Sequence, residues 1–457
     1  MSPTTNGPAL LVALALAAPA PAADVIKAVR RTPPPPSASA WREGEVIVSL
    51  RSGVLDRDAE RVLREGGAAR VRRARFGRSF LVTVEPGTSV PEAVSLFRRM
   101  PEVEFAEPNG IVHKSQARTL TPNDQYFRFQ WNMKQVGAER TWGIQRGSAR
   151  VGVAVLDTGV AYENYADPVS GRVYAKAPDW GDTPFLPGFD FVNGDPHPND
   201  DEFHGTHVAS TVAEATNNTF GMAGLAHQCA IMPIKVLDEF GNGTFFDVAE
   251  GIDYASSYQA GGERPVKVIN MSLGTDGTSE AVRQAVDRAH AAGVVMVAAA
   301  GNTGEDGVEF PANLPNVIAA GATDARKQRA TYSTTGPELD LVAPGGDCDR
   351  DDDADGVFDC VFQQMPDPDF LDLGRYDVFC YCGLDGTSMS SPHVAAAAAL
   401  LISQGINDPD AVRAALEQTA ERLGGAPADG RNDAYGHGLI QPAAGLSGLG
   451  FNQGPVR

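Results

Sequence analysis

Residues Val151–Val160 read VGVAVLDTGV, an apolar run that ends on a carboxylate, Asp157. Six apolar or small residues in succession leave no polar face to turn to water, so the segment reads as a buried strand of a parallel sheet. Open α/β sheets present their chemistry at the C-terminal ends of such strands, where Asp157 stands. Taken singly, an Asp closing a strand is as readily a turn or cap residue.

Two more segments carry chemistry-bearing residues. His204–Ala213 reads HGTHVASTVA. Gly205 permits close approach, and Val208–Ala213 continue as a small-residue helix able to pack on a sheet. His204 and His207 are spaced to share a metal, but no Glu occupies the HExxH position, so a zinc protease is excluded. His207 reads as a packed residue, whereas His204 opens the helix at the edge of a polar loop. At Gly386 the text is GTSMSSPHVAAAAALL. Ser388 is expected at the start of a long Ala-rich helix, with Pro392 in its first turn. It is either an N-cap or a nucleophile. The pattern is not the G-x-S-x-G elbow of α/β-hydrolases, and the order Asp, His, Ser is not theirs.

In this order the three segments resemble the catalytic signatures of the subtilisin-like serine proteases: VAVLDTGV, HGTHVAS and GTSMSSPHVA. The resemblance runs from about Asn123 (NDQYF) to Tyr435-Gly436-His437-Gly438-Leu439. It implies a three-layer α/β fold, a mostly parallel sheet flanked by helices, and a serine endopeptidase. Ser388 would attack the peptide carbonyl, His204 would take and return the proton, and Asp157 would orient the imidazole. Val294–Asn302 (VVMVAAAGN) resembles the oxyanion-hole strand, with Asn302 the side-chain donor; otherwise Asn302 is a turn residue. Val268–Gly274 (VINMSLG) resembles the strand that pairs with substrate. Ser272, Leu273 and Gly274, with Ala299, Ala300 and Gly301, would wall the pocket for the residue before the scissile bond. Glu309 would stand at its base. A carboxylate there favours Arg or Lys; alternatively Glu309 turns to solvent or binds a neighbouring cation.

Charge divides the chain. Residues 24–120 hold 17 Lys and Arg against 12 Asp and Glu, net +5, while residues 121–457 hold 21 against 46, net −25. So acidic a surface argues against a nucleic-acid partner. Residues 1–22 contain an apolar stretch (PALLVALALAA) followed by Ala20-Pro21-Ala22, the outline of a secretory signal peptide without a basic n-region. No other run is long enough to span a membrane. Residues 23–44 include the linker RTPPPPSASA. Residues 45–118 alternate in the order β-α-β-β-α-β, a small α+β ferredoxin-like unit, which resembles the family's inhibitory propeptide. Residues 119–449 would form the peptidase domain, with an acidic, Cys-containing insertion at 346–383, and 450–457 a tail. The expected product is a secreted monomer, inhibited by its own propeptide until cut near Lys114 or Arg118 and acting on protein or peptide substrates.

Asp351-x-Asp353-x-Asp355-Gly356-x-x-Asp359 matches several positions of an EF-hand-type calcium loop, although Phe362 stands where the closing Glu belongs. It reads as a Ca2+ site or a solvated acidic loop. The resemblance implies a second Ca2+ site at Asn218, with Asp124 and Asp167 as distant partners, and a weaker one at Asp190, Asn193 and Asp195. Cys348, Cys360, Cys380 and Cys382 allow three disulfide connectivities; a Cys380–Cys382 bond is expected to be strained, which favours the other two. Cys229 reads as a buried free thiol. Two rival readings are a catalytically silent binding module that keeps the fold and an esterase.

Overall fold

The computed structural model describes residues 12–13, 41–74, 78–110, 119–352, 354–425 and 430–448. The proposed signal segment outside Val12–Ala13, the proline-rich linker up to Ala40, Lys114, Arg118, Asp353 and the C-terminal tail lie outside the described residues. The chain divides into two units, Ala18–Gln116 and the remainder.

In the larger unit, seven strands form a parallel sheet in the spatial order Leu341–Pro344, Val317–Thr323, Val295–Ala299, Val266–Met271, Gly152–Asp157, Ala230–Lys235 and Phe189–Asp190. Every residue of Gly152–Asp157 and of Ala230–Lys235 is buried, as the unbroken apolar run requires of a strand covered on both faces. From Gly152–Asp157 the chain crosses to Ala230–Lys235 on one side. From Val266–Met271 it crosses to Val295–Ala299 on the other. Right-handed crossovers of opposite direction put helix His204–Ala213 on one face and helices Phe245–Ser257 and Glu280–Ala291 on the other. The order reverses between Asp157 and Met271, and the crevice beyond those two strand ends is where such a sheet admits a ligand.

Helix Thr387–Ser403 packs beside His204–Ala213 and against the strands of the sheet. Its N-cap is Gly386, so Ser388 lies inside the helix and is not a cap. Pro392 falls in the second turn, not the first. A proline there cannot donate to the carbonyl four residues back, that of Ser388. The Ser272 hydroxyl supplies the missing bond, donating to Ser388 O at 2.8 Å.

The acidic insertion is in part a core element. Val361–Pro366 and Phe379–Leu384 pair antiparallel, and Val12–Ala13 add to the second strand. Val361–Pro366 is buried throughout. Cys348 pairs with Cys360 and Cys380 with Cys382, at Cα–Cα distances of 4.7 and 5.4 Å. The pairing held to be unfavourable is thus the one adopted. Residues two apart on a strand project to the same side, and 5.4 Å lies within the ordinary disulfide range. Cys229 is a buried free thiol, its acidity suppressed by burial to about 11.

The smaller unit has the order β-α-β-β-α-β, with four antiparallel strands arranged Ala68–Arg73, Ser79–Val84, Trp41–Leu50, Val103–Gly110. Its first strand begins at Trp41, so Trp41–Gly44 belong to the sheet and not to the linker. Val46, Val48, Leu63, Val82, Val90 and Phe97 form its core, fully enclosed.

Candidate active site

Asp157 ends its strand with no exposed surface. Its Oδ1 accepts the Thr158 N–H and lies 2.8 Å from His204 Nδ1. Gly205 makes that approach possible, because a Cβ there would collide with the Gly159 carbonyl. A buried network fixes both loops. Asp200 accepts from the Thr158 hydroxyl at 2.9 Å and from the Thr206 N–H at 2.9 Å. Lys235 Nζ, 1% exposed, donates to Thr158 O, Leu237 O and Asp201 Oδ1. Burial pulls the His204 imidazolium down, but the charges of Asp157, Glu202 and Asp200 prevail and push it up to about 9.

Ser388 is half-buried, and its hydroxyl donates to Ser272 O at 3.2 Å. No hydrogen bond joins it to His204 among the described residues. The Ser388 N–H, in the first turn, has no intrahelical acceptor. Asn302 lies beyond the end of strand Val295–Ala299 and is exposed. Its Oδ1 accepts the Thr387 N–H at 2.8 Å and the Thr387 hydroxyl at 2.9 Å, leaving Nδ2 as a free donor.

A cleft of about 700 Å³ is lined by Thr158, Glu202, His204 and Ser272–Thr275. Burial pushes the Glu202 carboxyl up to about 7, against the pull of His204. Glu309 Nα–H donates to Ala300 O at 3.0 Å. Its side chain lies against Gly274 and Gly301, so that a Cβ at either glycine would strike it. It therefore stands where Ser272–Gly274 and Ala299–Gly301 face each other. The carboxylate is half-buried and raised above its ordinary value, by burial first and then by Asp276. Among the described residues no cation pairs with it.

Residues 148–438 match the subtilase family, and residues 27–109 match the fervidolysin N-terminal prodomain. The chain is 35% identical over 387 residues to a thermophilic serine proteinase of Bacillus sp. (strain AK1), covering 84% of each. It is 36% identical to thermitase of Thermoactinomyces vulgaris, covering 69% of this chain and 98% of thermitase. The chain belongs to the subtilase family. A solved protease of Pseudoalteromonas arctica PAMC 21717 overlays with a TM-score of 0.57 at 29% identity, covering 71% of this chain and 98% of that one.

In this subtilase, a serine peptidase with an N-terminal prodomain, the acidic residues fall differently from expectation. Asp124 accepts the N–H groups of Asn217 and Asn218, so these two segments do meet. Asp167 does not join them. It caps its own exposed turn through the N–H groups of Val169 and Ser170. The buried Asp179 takes the place expected of Asp167, 2.7 Å from Asn218 Nδ2. Burial pushes Asp179 up to about 6 and, with the neighbouring Asp179 carboxylate, holds Glu214 well above its ordinary value. The sequence signal for Asp179 is its setting between Pro178 and Trp180.

In the loop after Cys348 the described carboxylates bond backbone N–H groups. Asp351 accepts the Gly356 N–H, Asp355 the Val357 N–H, and Asp359 the Asp352 N–H. Asp190 likewise accepts from Val192 and Asn193, and Asp195 from His197. Among the described residues no three His, Cys, Asp or Glu side chains are placed to hold a metal. These carboxylates cap turns. His207 is packed, its Nε2 2.9 Å from Val361 O, and burial lowers it to about 3. No helix among the described residues is long and apolar enough to cross a membrane.

Proposed function

We propose that this subtilase is a secreted endopeptidase, made as a precursor, that works through Asp157, His204 and Ser388. The observation that carries the reading is the 2.8 Å contact of His204 Nδ1 with Asp157 at the crevice where Ser388 also sits, against Ser272. With Nδ1–H held by the carboxylate, the neutral imidazole has its lone pair on Nε2. A rotation about the Ser388 Cα–Cβ bond frees the hydroxyl from Ser272 O; catalytic hydrogen bonds commonly tighten only when substrate arrives. The Ser388 oxygen attacks the carbonyl carbon as its proton passes to Nε2, and Asp157 stabilises the imidazolium. The oxyanion takes hydrogen bonds from the Ser388 N–H and Asn302 Nδ2. Collapse expels the amine with the proton from His204, and water then releases the acyl group by the same route.

Glu309, lodged between Gly274 and Gly301, favours Arg or Lys before the scissile bond, since an apolar side chain would leave it buried and unpaired. Residues 45–118 act as the intramolecular inhibitor, residues 1–22 direct export, and 119–449 form the mature monomeric enzyme. Calcium is the fitting cofactor. Asp124, Asn218 and Asp179 meet at the Asn217–Gly221 loop and offer hard oxygen donors to such a cation. Such an ion would stabilise the Asn217–Gly221 loop and take no part in bond cleavage. A fluorophosphonate should label Ser388, and the full-length Ser388→Ala protein should stay unprocessed. A silent binding module would resist the label, and normal maturation of the variant would place processing in another protease.

A further inference from the structure

We infer that Tyr332 is a positioning residue for the oxyanion donors, its hydroxyl clamping the turn at Gly386–Thr387 to Gly346. This deepens the reading proposed above and rests on it. The turn is the last piece of chain before Ser388. Asn302 Oδ1 accepts both the N–H and the hydroxyl of Thr387, so the direction of Asn302 Nδ2 is set by where Thr387 lies. Gly386 borders the same space. A Cβ built on it would stand 3.5 Å from Asn302 Nδ2 and 3.7 Å from the Ser388 nitrogen, so both donors lie beside this glycine. Its φ of +147° falls where glycine is favoured, and glycine has no side chain with which to brace the turn.

The bracing comes from Tyr332. Its hydroxyl accepts the Gly386 N–H at 3.0 Å and donates to Gly346 O at 2.8 Å. Gly346 opens the insertion and Gly386 lies just past its end, so one hydroxyl ties the two ends together beside the oxyanion site. Few other bonds close this neck: the Gly386 N–H is shared with Gly345 O at 3.0 Å, and Asp385 accepts the Cys348 N–H at 3.1 Å. Gly346 and Gly386 are both buried, so water is poorly placed to replace a lost bond. Phenylalanine at 332 would keep the ring and lose both contacts. Burial, and then the Asp385 carboxylate, hold the phenol well above its ordinary value, so the hydroxyl keeps its proton wherever the enzyme is assayed.

The test compares the wild-type enzyme with Tyr332→Phe on a reporter peptide and against a peptide boronic acid, whose tetrahedral adduct on Ser388 sets an oxygen before the same donors. Fluorophosphonate titration fixes the concentration of active sites, so misfolded protein does not count. kcat should fall about three- to tenfold, the scale of one neutral hydrogen bond, with KM changed by less than about twofold. The boronic acid should bind more weakly by the same factor as the loss in kcat. In an Asn302→Ala background the substitution should cost less than about twofold, because the donor it positions is gone. An unchanged kcat, a rise in KM alone, or the same loss in both backgrounds overturns the inference while leaving the protease reading intact. No turnover of the reporter and no fluorophosphonate label in the wild-type protein would overturn both.

Discussion

The pH dependence of the acylation step tests the electrostatics around His204 directly. His204 must be neutral to accept the Ser388 proton, yet the surrounding carboxylates push it up to about 9 from an ordinary 6.5. The rise of kcat/KM with pH should therefore have its midpoint well above 6.5 in the free enzyme. With the midpoint at about 9, only about one active site in a hundred is in the base form at pH 7. Glu202 titrates near 7 and is charged over the range in which His204 loses its proton. Replacing it with Gln removes one of the three charges that hold the proton, so the acidic limb should move to lower pH and turnover at pH 7 should rise.

The same shift carries a stability consequence of definite sign. A histidine whose folded value lies above its unfolded one stabilises the fold fully below the unfolded value. That contribution is lost as pH rises through the folded value. Here the window runs from 6.5 to about 9, and the shift corresponds to roughly 3 kcal/mol. Urea denaturation of the Ser388→Ala protein, which cannot digest itself, should show stability declining across that window, less steeply in a His204→Gln companion. A kcat/KM midpoint at or below 6.5, or one that moves upward in Glu202→Gln, would refute the reasoning.

Asn302→Ala should lower kcat by about 10²–10³ with KM little changed, the cost measured for the corresponding donor of a subtilisin; stopped kinetics on a reporter peptide reads it. Lys235→Met should destabilise the larger unit by about 1–3 kcal/mol, because the Thr158 and Leu237 carbonyls lose their buried donor while Asp201 keeps Arg172 as its cation; chemical denaturation in the Ser388→Ala background measures it. Chelation should lower the melting temperature, and Asp179→Asn should abolish the calcium-dependent part of it. Asp167→Asn, altering only an exposed turn, should leave that part unchanged.

The parallel sheet was legible because each central strand is an unbroken apolar run that has to be covered on both faces. The spatial meeting of Asp157 with His204 followed from the order of the motifs. What sequence spacing could not supply was the path of the loops between them. The segment from Glu163 to Ala177 makes its own turn, closed by Asp167. That delays the buried carboxylate that meets Asn218 to Asp179. At the acidic run Asp351–Asp359, read as a Ca2+ site or a solvated loop, the described carboxylates bond backbone N–H groups. A carboxylate near a turn finds a backbone N–H at hand, and that local bond competes with convergence on a cation. For Cys380 and Cys382 the decisive fact is that both lie on one strand, two residues apart, and cysteine spacing alone does not say so.

Stability and chemistry meet in the ion network behind the crevice. Lys235 is bonded to the carbonyl of Thr158, next to Asp157, and to Asp201, three residues before His204. Asp200 joins Thr158 to Thr206 on the other side of the histidine. Arg172 also reaches Asp201, at 2.8 Å, and pairs with Glu239. The two loops that present Asp157 and His204 are therefore not independent. A change that loosens one transmits to the other through the buried charges of Lys235, Asp200 and Asp201, which have no water to turn to. A buried ion network of this kind is poor as a source of net stability, since its desolvation cost nearly cancels its attraction. Its advantage is that any displaced arrangement leaves a charge unpaired, so the imidazole and the carboxylate are confined to one relative position. Activity and the integrity of this network should fail together on heating, with the His204–Asp157 distance lost before the sheet beneath it opens.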